Sequence, residues 1–334
     1  MRQKISRSLK KLFAIFLCFS LIFSFLVGDS AFAVVQDFGS TRIYYDEERV
    51  IAPGVTLNSW KGMNGSNAYK AGHMITFNPV TSDAKVLAAY GNSVNSRVSL
   101  SSTSKIEENR LGVSIIGGIN GDFYYLENGV PIGLLIQNGR LVSYSNTKWN
   151  AIGFNSDGSV VIDTPNIDMN FTHKGKQYNF GNLNKAQNDW GPYLYTSDFG
   201  PNTASAVPSL EVVLDIISGE IKVGGTVTAR VSAIEANSKA TPIGPNQLVL
   251  SARNNKPGFS ILANFIIGDE VTFTFRDVEN KWTNVEQAVG GDKILINNGA
   301  IVSGLSTTNH APSTAVGVKA NGEVVFFQVD GRST

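Results

Sequence analysis

Short polar motifs beside glycines carry the residues of this sequence that could do chemistry. The first is Gly117-Gly118-Ile119-Asn120-Gly121-Asp122, which follows two isoleucines. Glycine accepts backbone angles that other residues avoid and lets a ligand approach the main chain. Asn120 and Asp122 could therefore project from the end of a buried strand. Asn-Gly is also the commonest two-residue hairpin turn, and spacing alone favours that plainer interpretation.

Two later motifs resemble the first. Val289-Gly290-Gly291-Asp292 again has an apolar entry, paired glycines and an acid. Asp330-Gly331-Arg332 follows an apolar run and places a carboxylate beside a guanidinium. Taken alone, this last motif is typical of a turn after an edge strand, with Arg332 in solvent.

The same motifs offer oxygen ligands for a metal ion. Asp122, Asp330 and Asn120 could together bind a divalent cation such as calcium. The sequence has no regular loop of alternating acids, however, and its three histidines are too far apart to form a zinc pair. We therefore assign no metal ligands and leave the cofactor open.

The motifs lie among short apolar runs with a turn signal about every ten residues, a pattern typical of strands. A capped helix is predicted within residues 99–112. Residues 163–205 are polar and aromatic and are predicted to form a long irregular loop that covers a site. The sequence thus predicts an α+β fold, β-rich, with a mixed sheet and few helices.

Composition places the protein outside the cytoplasm. Residues 1–33 combine a basic head, an apolar core and the cleavage site Ala31-Phe32-Ala33, as in a secretory signal peptide. The single cysteine, Cys18, lies in this segment, so the mature chain would have no disulfides. Of 28 basic and 27 acidic residues, the segment removes five and one, which leaves a net charge of −3. We expect a secreted or cell-surface protein with no nucleic-acid partner and no membrane span after cleavage.

Five ordered blocks of this sequence resemble the phosphodiester glycosidase family, which includes the catalytic domain of the enzyme that uncovers mannose 6-phosphate. The blocks are residues 117–123, Pro131-Ile132-Gly133-Leu134, Val289-Gly290-Gly291, Thr314-Ala315-Val316-Gly317 and Val329-Asp330-Gly331-Arg332. Residues 34–70 are predicted from their alternation to form a leader and the first strands. The resemblance implies a phosphodiester glycosidase-like domain in residues 71–334. It also implies hydrolysis of sugar-1-phosphodiesters, such as α-linked N-acetylglucosamine 1-phosphate, in envelope or extracellular glycans.

The implied reaction suggests a role for each candidate residue. Breaking the bond between an anomeric carbon and phosphate builds positive charge on the sugar, so Asp122 could act as acid, base or nucleophile. Arg332 would bind the phosphate as a planar, always-charged donor, and Asp330 would support it. Asn120 would position the substrate. Main-chain amides would line the site at four glycines, which are Gly117, Gly118, Gly290 and Gly291.

Two departures from the family pattern matter. An arginine usually precedes the Thr-Ala-Val-Gly block, where this chain has Pro312-Ser313. The family also continues past Asp-Gly-Arg into a helix and an Asp-Gly-Gly-Gly-Ser block. We therefore expect a domain that is incomplete at its C-terminus and that could be inactive alone. The alternative function is a non-catalytic cell-surface carbohydrate-binding module with the same fold.

Overall fold

A computed structural model of the protein describes residues 37–38, 41–64, 69–187, 191–305 and 311–331. The predicted signal peptide, residues 1–33, lies outside the described residues, and so does Arg332. Strands make up 47% of the described residues and helices 6%, which confirms the predicted β-rich fold with few helices. No helix among the described residues has the length and apolar character needed to cross a membrane.

The strands are numbered along the chain. The first eleven are β1 Asp37–Phe38, β2 Thr41–Ala52, β3 Val55–Asn64, β4 Tyr69–Phe77, β5 Leu135–Gln137, β6 Arg140–Ser145, β7 Asn150–Asn155, β8 Val160–Asp163, β9 Ile167–His173, β10 Lys176–Asn179 and β11 Asn182–Leu183. The others are β12 Tyr193–Thr196, β13 Ser209–Gly219, β14 Thr226–Ser238, β15 Gln247–Arg253, β16 Glu270–Asp277, β17 Val285–Gly291, β18 Ile296–Asn297, β19 Ala300–Ile301, β20 Ser313–Val318 and β21 Val324–Val329. The helices in the described part of the chain are Leu100–Leu111 and Pro257–Leu262.

Most strands belong to two sheets. The larger has thirteen strands in the order β10-β9-β16-β14-β13-β15-β12-β11-β6-β5-β17-β7-β8. It is mixed, because β11 and β12 pair in parallel while its other described pairs are antiparallel. The second sheet has six strands in the order β1-β2-β3-β4-β21-β20, and β18 pairs with β19 alone.

The chain divides into two compact units. The described part of the smaller comprises residues 37–38, 41–47, 59–64 and 69–72, where Lys61 lies over the Tyr45 ring. The described part of the larger comprises residues 48–58, 73–187, 191–305 and 311–331, and it contains every described candidate residue.

Among the described residues, the larger unit has three apolar cores, and two of them hold β16 and β17 in place. In β16, Val271, Phe273 and Phe275 are buried while the residues between them are less so, because alternate side chains of a strand point to opposite faces. They belong to the main core of the larger sheet. A separate core packs Phe77 and Val324 against Ile152 and Phe154 of β7, with Val289 of β17 beside them. This packing fixes the end of β17, where the second glycine pair lies.

The predicted capped helix is confirmed. Ser99 accepts a hydrogen bond from the Ser102 backbone N–H and begins the helix Leu100–Leu111. Gly112 ends it with a φ of 68°, a left-handed conformation that glycine adopts without strain. The chain then enters the first glycine motif.

Residues 115–119 were predicted to be a buried strand, and this prediction is wrong. The segment forms no strand, and Ile116 is 45% exposed. The backbone N–H of Ile115 donates to the Glu108 carboxylate at 2.9 Å, so this donor does not take part in β-sheet hydrogen bonding. The alternative prediction, a hairpin turn at Asn120-Gly121, is wrong too, because Gly121 does not have a positive φ. In the Asn138-Gly139 turn, by contrast, Gly139 has a φ of 74°.

The predicted irregular loop over residues 163–205 is also wrong. It contains β9 to β12, and β9 pairs with β10 and β16. Ile167, Met169 and Phe171 are buried on one face of β9, while Asp168 and Asn170 alternate with them on the other. The polar residues on that second face made the segment look like a loop by composition, although the alternation is typical of a strand.

Candidate active site

Asp122 lies at the open end of a small hairpin. The backbone N–H of Ile132 donates to Phe123 O at 2.9 Å, and that of Tyr125 donates to Val130 O at 3.0 Å. The hairpin turns back before Gly129, which has a φ of 83°. The two arms therefore bring Asp122 and Gly133 face to face immediately before β5.

Both oxygens of the Asp122 carboxylate accept hydrogen bonds. The Gly133 backbone N–H donates to Oδ2, and the Trp149 indole Nε1–H donates to Oδ1 at 2.8 Å. The side chain is half-buried. Burial raises the pKa of Asp122 above its usual value, while these hydrogen bonds and the charge of Lys185 act in the opposite direction. The site thus holds a carboxylate that is partly withdrawn from water and fixed at both oxygens.

The second glycine motif packs against this carboxylate. Strand β17 lies between β5 and β7, and its residue Gly290 is opposite Ala151. A Cβ atom on Gly290 would overlap the Asp122 carboxyl group, and one on Gly121 would overlap the Val289 side chain. The structure therefore brings together Asp122 and Gly290, which the sequence placed in separate motifs.

Aromatic rings flank the carboxylate. Phe123 and Trp149 meet edge to face, with ring centroids 6.2 Å apart and planes at 85°. Phe123 is 60% exposed, and Trp149 is half-buried. An exposed aromatic ring next to a fixed carboxylate offers an apolar surface to a ligand that reaches Asp122.

Lys185, which the sequence analysis missed, lies behind the hairpin. Its side chain is buried, with the residue 4% exposed, and its Nζ donates to the carbonyl oxygens of Pro131, Ile132 and Gly133 at 2.7, 3.0 and 2.7 Å. Burial lowers the pKa of Lys185 to about 7, and the charge of Asp122 opposes this shift. No sequence signal distinguishes Lys185 from the many exposed lysines.

No hydrogen bond joins the Asp122 side chain to the remaining candidates in the described part of the chain. Gly117 packs against Ile75, Gly118 packs against Leu100, and Gly291 has open space at its Cβ position. Asn120 is exposed.

Asp330 follows β21, where its exposed carboxylate accepts a hydrogen bond from Gln328 at 2.8 Å. No hydrogen bond or ion pair joins the described side chains of Asp330 and Asp122. Within the described ranges, no three histidine, cysteine, aspartate or glutamate side chains are close enough together to hold a metal ion.

Residues 221–334 match the phosphodiester glycosidase family. The resemblance is thereby confirmed over this segment, which includes Gly290, Gly291 and Asp330. Asp122, Trp149 and Lys185 precede the phosphodiester glycosidase match.

Two solved structures share the fold. A hypothetical protein from Synechocystis has a TM-score of 0.63 and 18% identity, over 86% of this chain and 53% of that one. A protein from Burkholderia pseudomallei K96243, described as "Putative exported protein", has a TM-score of 0.64 and 13% identity, over 90% of this chain and 86% of that one. The present chain spans about half the length of the Synechocystis protein. A search of curated proteins gave no significant match.

Proposed function

We propose that this protein is a secreted glycosidase that hydrolyses sugar-1-phosphodiesters, with Asp122 as its reactive carboxylate. The observation that carries the proposal is the environment of Asp122, which is fixed by Gly133 and Trp149 and flanked by the exposed ring of Phe123. The phosphodiester glycosidase match over residues 221–334 supports this reaction class.

The hydrogen bonds of Asp122 favour an anionic role. Both of its partners are N–H donors, which stabilise a carboxylate and cannot take a proton from it. In a glycosyl phosphodiester, the bond between the anomeric carbon and the phosphate oxygen breaks and leaves its electron pair on the phosphate. The carboxylate would face the positive charge that develops on the sugar, as a nucleophile or as an electrostatic partner.

Water completes the reaction. Its oxygen bonds to the anomeric carbon, and its protons are shared between the new hydroxyl group and the released phosphate monoester. A phosphate is a fair leaving group, so the reaction asks less of a general acid than ordinary glycoside hydrolysis does.

Other residues would bind the substrate. We assign sugar or phosphate hydrogen bonding to Asn120 and to the main chain at Gly117, Gly118, Gly290 and Gly291. Arg332 would bind the phosphate, with Asp330 as its support. The proposed substrate is a glycosyl phosphodiester of the cell envelope or its surroundings, and the likeness to a protein described as exported supports this location.

A direct assay tests the function. The purified protein is incubated with the methyl phosphodiester of α-N-acetylglucosamine 1-phosphate, and free N-acetylglucosamine is measured. We expect release by the wild-type protein and a loss of at least about a thousandfold in Asp122→Asn, because a reacting carboxylate is removed. The matched control is Asp157→Asn, which changes an exposed turn carboxylate and should leave the rate unchanged.

The same proteins separate an enzyme from a binding module. If the wild-type protein binds the diester, measured by calorimetry, but releases no sugar, the chain is a carbohydrate-binding module. Equal rates in the wild type and Asp122→Asn would refute the role of Asp122.

A further inference from the structure

We propose that Lys185 is the positioning residue of this site, which holds the Pro131–Gly133 segment so that the Gly133 N–H stays directed at the Asp122 carboxylate. This inference rests on the proposed function only in treating Asp122 as the reactive group. The geometry behind it is independent of any substrate.

The three hydrogen bonds of Lys185 define a bend in the chain. Successive carbonyl groups of an extended strand point in alternating directions, so three in a row cannot normally reach one ammonium group. Here the carbonyls of Pro131, Ile132 and Gly133 all accept from Nζ, and the segment leaves the strand conformation just before β5. The bend that lets the three carbonyls converge also sets the direction of the Gly133 N–H.

The lysine itself is firmly held. The Tyr195 hydroxyl donates to Lys185 O at 3.0 Å. The preceding residue, Asn184, is buried and donates to Val142 O and Thr196 Oγ1 at 2.7 and 2.8 Å. The ammonium group therefore acts from a fixed point behind the hairpin. When the amine is protonated, all three of its protons are used in these hydrogen bonds, so it has none left for a substrate.

Charge reinforces the geometry. The charge of Lys185 acts on Asp122, and the charge of Asp122 acts on Lys185. Gly133, Trp149 and Gly290, which contact the carboxylate, carry no charge. An ammonium group buried behind the hairpin favours the ionised form of Asp122.

A purely structural lysine makes a different prediction. If Lys185 only filled its buried position, its replacement would lower stability without changing the titration of Asp122 or the environment of Trp149. The test therefore needs a readout at the carboxylate itself, and one that does not require turnover.

Nuclear magnetic resonance provides that readout. The ¹³C signal of the Asp122 carboxyl group is assigned by its loss in Asp122→Asn and followed against pH, together with the ¹H–¹⁵N signal of Trp149 Nε1. In Lys185→Met we expect the titration midpoint of Asp122 to rise by about 1–3 pH units, the range for loss of a nearby opposite charge. We also expect the Trp149 signal to move.

Two further variants complete the test. Lys185→Gln keeps hydrogen-bond donors at this position but removes the charge. It replaces Lys185→Met in the test if that variant does not fold, and we again expect the titration midpoint of Asp122 to rise. Lys148→Met removes an exposed lysine next to Trp149 and should leave the midpoint unchanged. An unchanged midpoint in a folded Lys185 variant, or an equal rise in Lys148→Met, would overturn the proposal. Because these measurements need no substrate, they hold even if the hydrolysis assay fails.

Discussion

The Asp122 carboxyl group lies against the Cα atom of Gly290, at the end of β17. No side chain fits between them, since a Cβ atom on Gly290 would overlap the carboxyl oxygen that accepts the Gly133 N–H. The two glycine motifs of the sequence thus meet directly, here and where Gly121 packs against Val289. The φ angle at position 290 is not positive, so the backbone conformation does not require glycine there. Glycine is needed because it leaves space for the Asp122 carboxyl group.

Gly290→Ala is expected to displace the Asp122 carboxylate. An added methyl group in a packed site costs about 1–3 kcal/mol, and a shift of the reacting group lowers the rate further. We expect hydrolysis of the methyl diester to fall at least about tenfold and the free energy of unfolding to fall by about 1–3 kcal/mol, measured by urea denaturation.

Gly291→Ala is the matched control for stability. The Cβ position of Gly291 has no heavy atom within 4 Å. Its free energy of unfolding should stay within about 0.5 kcal/mol of the wild type. If Gly290→Ala and Gly291→Ala had equal stability, the contact with Asp122 would not constrain position 290.

The sequence predicted half of this site. Asp122 and Gly290 could be singled out from the sequence, because each lies in a motif of paired glycines and an acid that follows an apolar run. Trp149 and Lys185 carry none, since their roles depend on which distant segments the sheet brings together. The order β11-β6-β5-β17-β7 decides those neighbours, and no local pattern encodes it.

The errors in the fold have a similar origin. Ile115 and Ile116 have strand-like composition, but the Glu108 carboxylate accepts the Ile115 N–H and the segment stays outside the sheet. In β9, a segment of loop-like composition forms a strand, because Asp168 and Asn170 occupy one face while the other face is buried. Local propensity was overruled in both cases by contacts from distant residues or from the other face of the sheet.

Phe123→Ala is expected to weaken substrate binding more than catalysis. The ring is 60% exposed and contacts Trp149 edge to face, so it is available to a sugar near Asp122. An aromatic contact contributes about 0.5–1.5 kcal/mol, which corresponds to a rise in KM of about 2- to 12-fold. Steady-state kinetics with the methyl diester measure this rise, and kcat should change by less than about threefold.

Leu126→Ala is the matched control in the same hairpin. Leu126 is 70% exposed and lies at the turn, away from the carboxylate end. Its removal should leave KM unchanged. A rise in KM in Leu126→Ala equal to that in Phe123→Ala would mean that the whole hairpin, and not the Phe123 ring, binds the substrate.

Asp269 makes stability depend on pH far from the proposed site. Its Oδ2 atom accepts from the Ile266 N–H at 3.0 Å and contacts His173 Nε2 and Lys174 Nζ at 2.7 and 3.0 Å. Desolvation raises the pKa of Asp269, but these partners outweigh it and lower the pKa to about 2. A carboxylate with a lowered pKa stabilises the fold fully above its unfolded pKa of about 3.9, and this contribution is lost as the pH falls through about 2.

Asp269→Asn should therefore destabilise the protein at neutral pH and progressively less in acid. We expect its free energy of unfolding at pH 7 to be about 1–3 kcal/mol below the wild type, the range for hydrogen bonds to a charged group. Urea denaturation between pH 7 and pH ~2.5 should show the difference shrinking below pH ~4. The neighbouring Glu270→Gln removes an exposed pair with Arg230 and should cost less than about 1 kcal/mol at every pH. A difference for Asp269→Asn that stayed constant down to pH ~2.5 would trace the loss to packing, since most of the stabilisation that depends on the Asp269 charge is lost over that range.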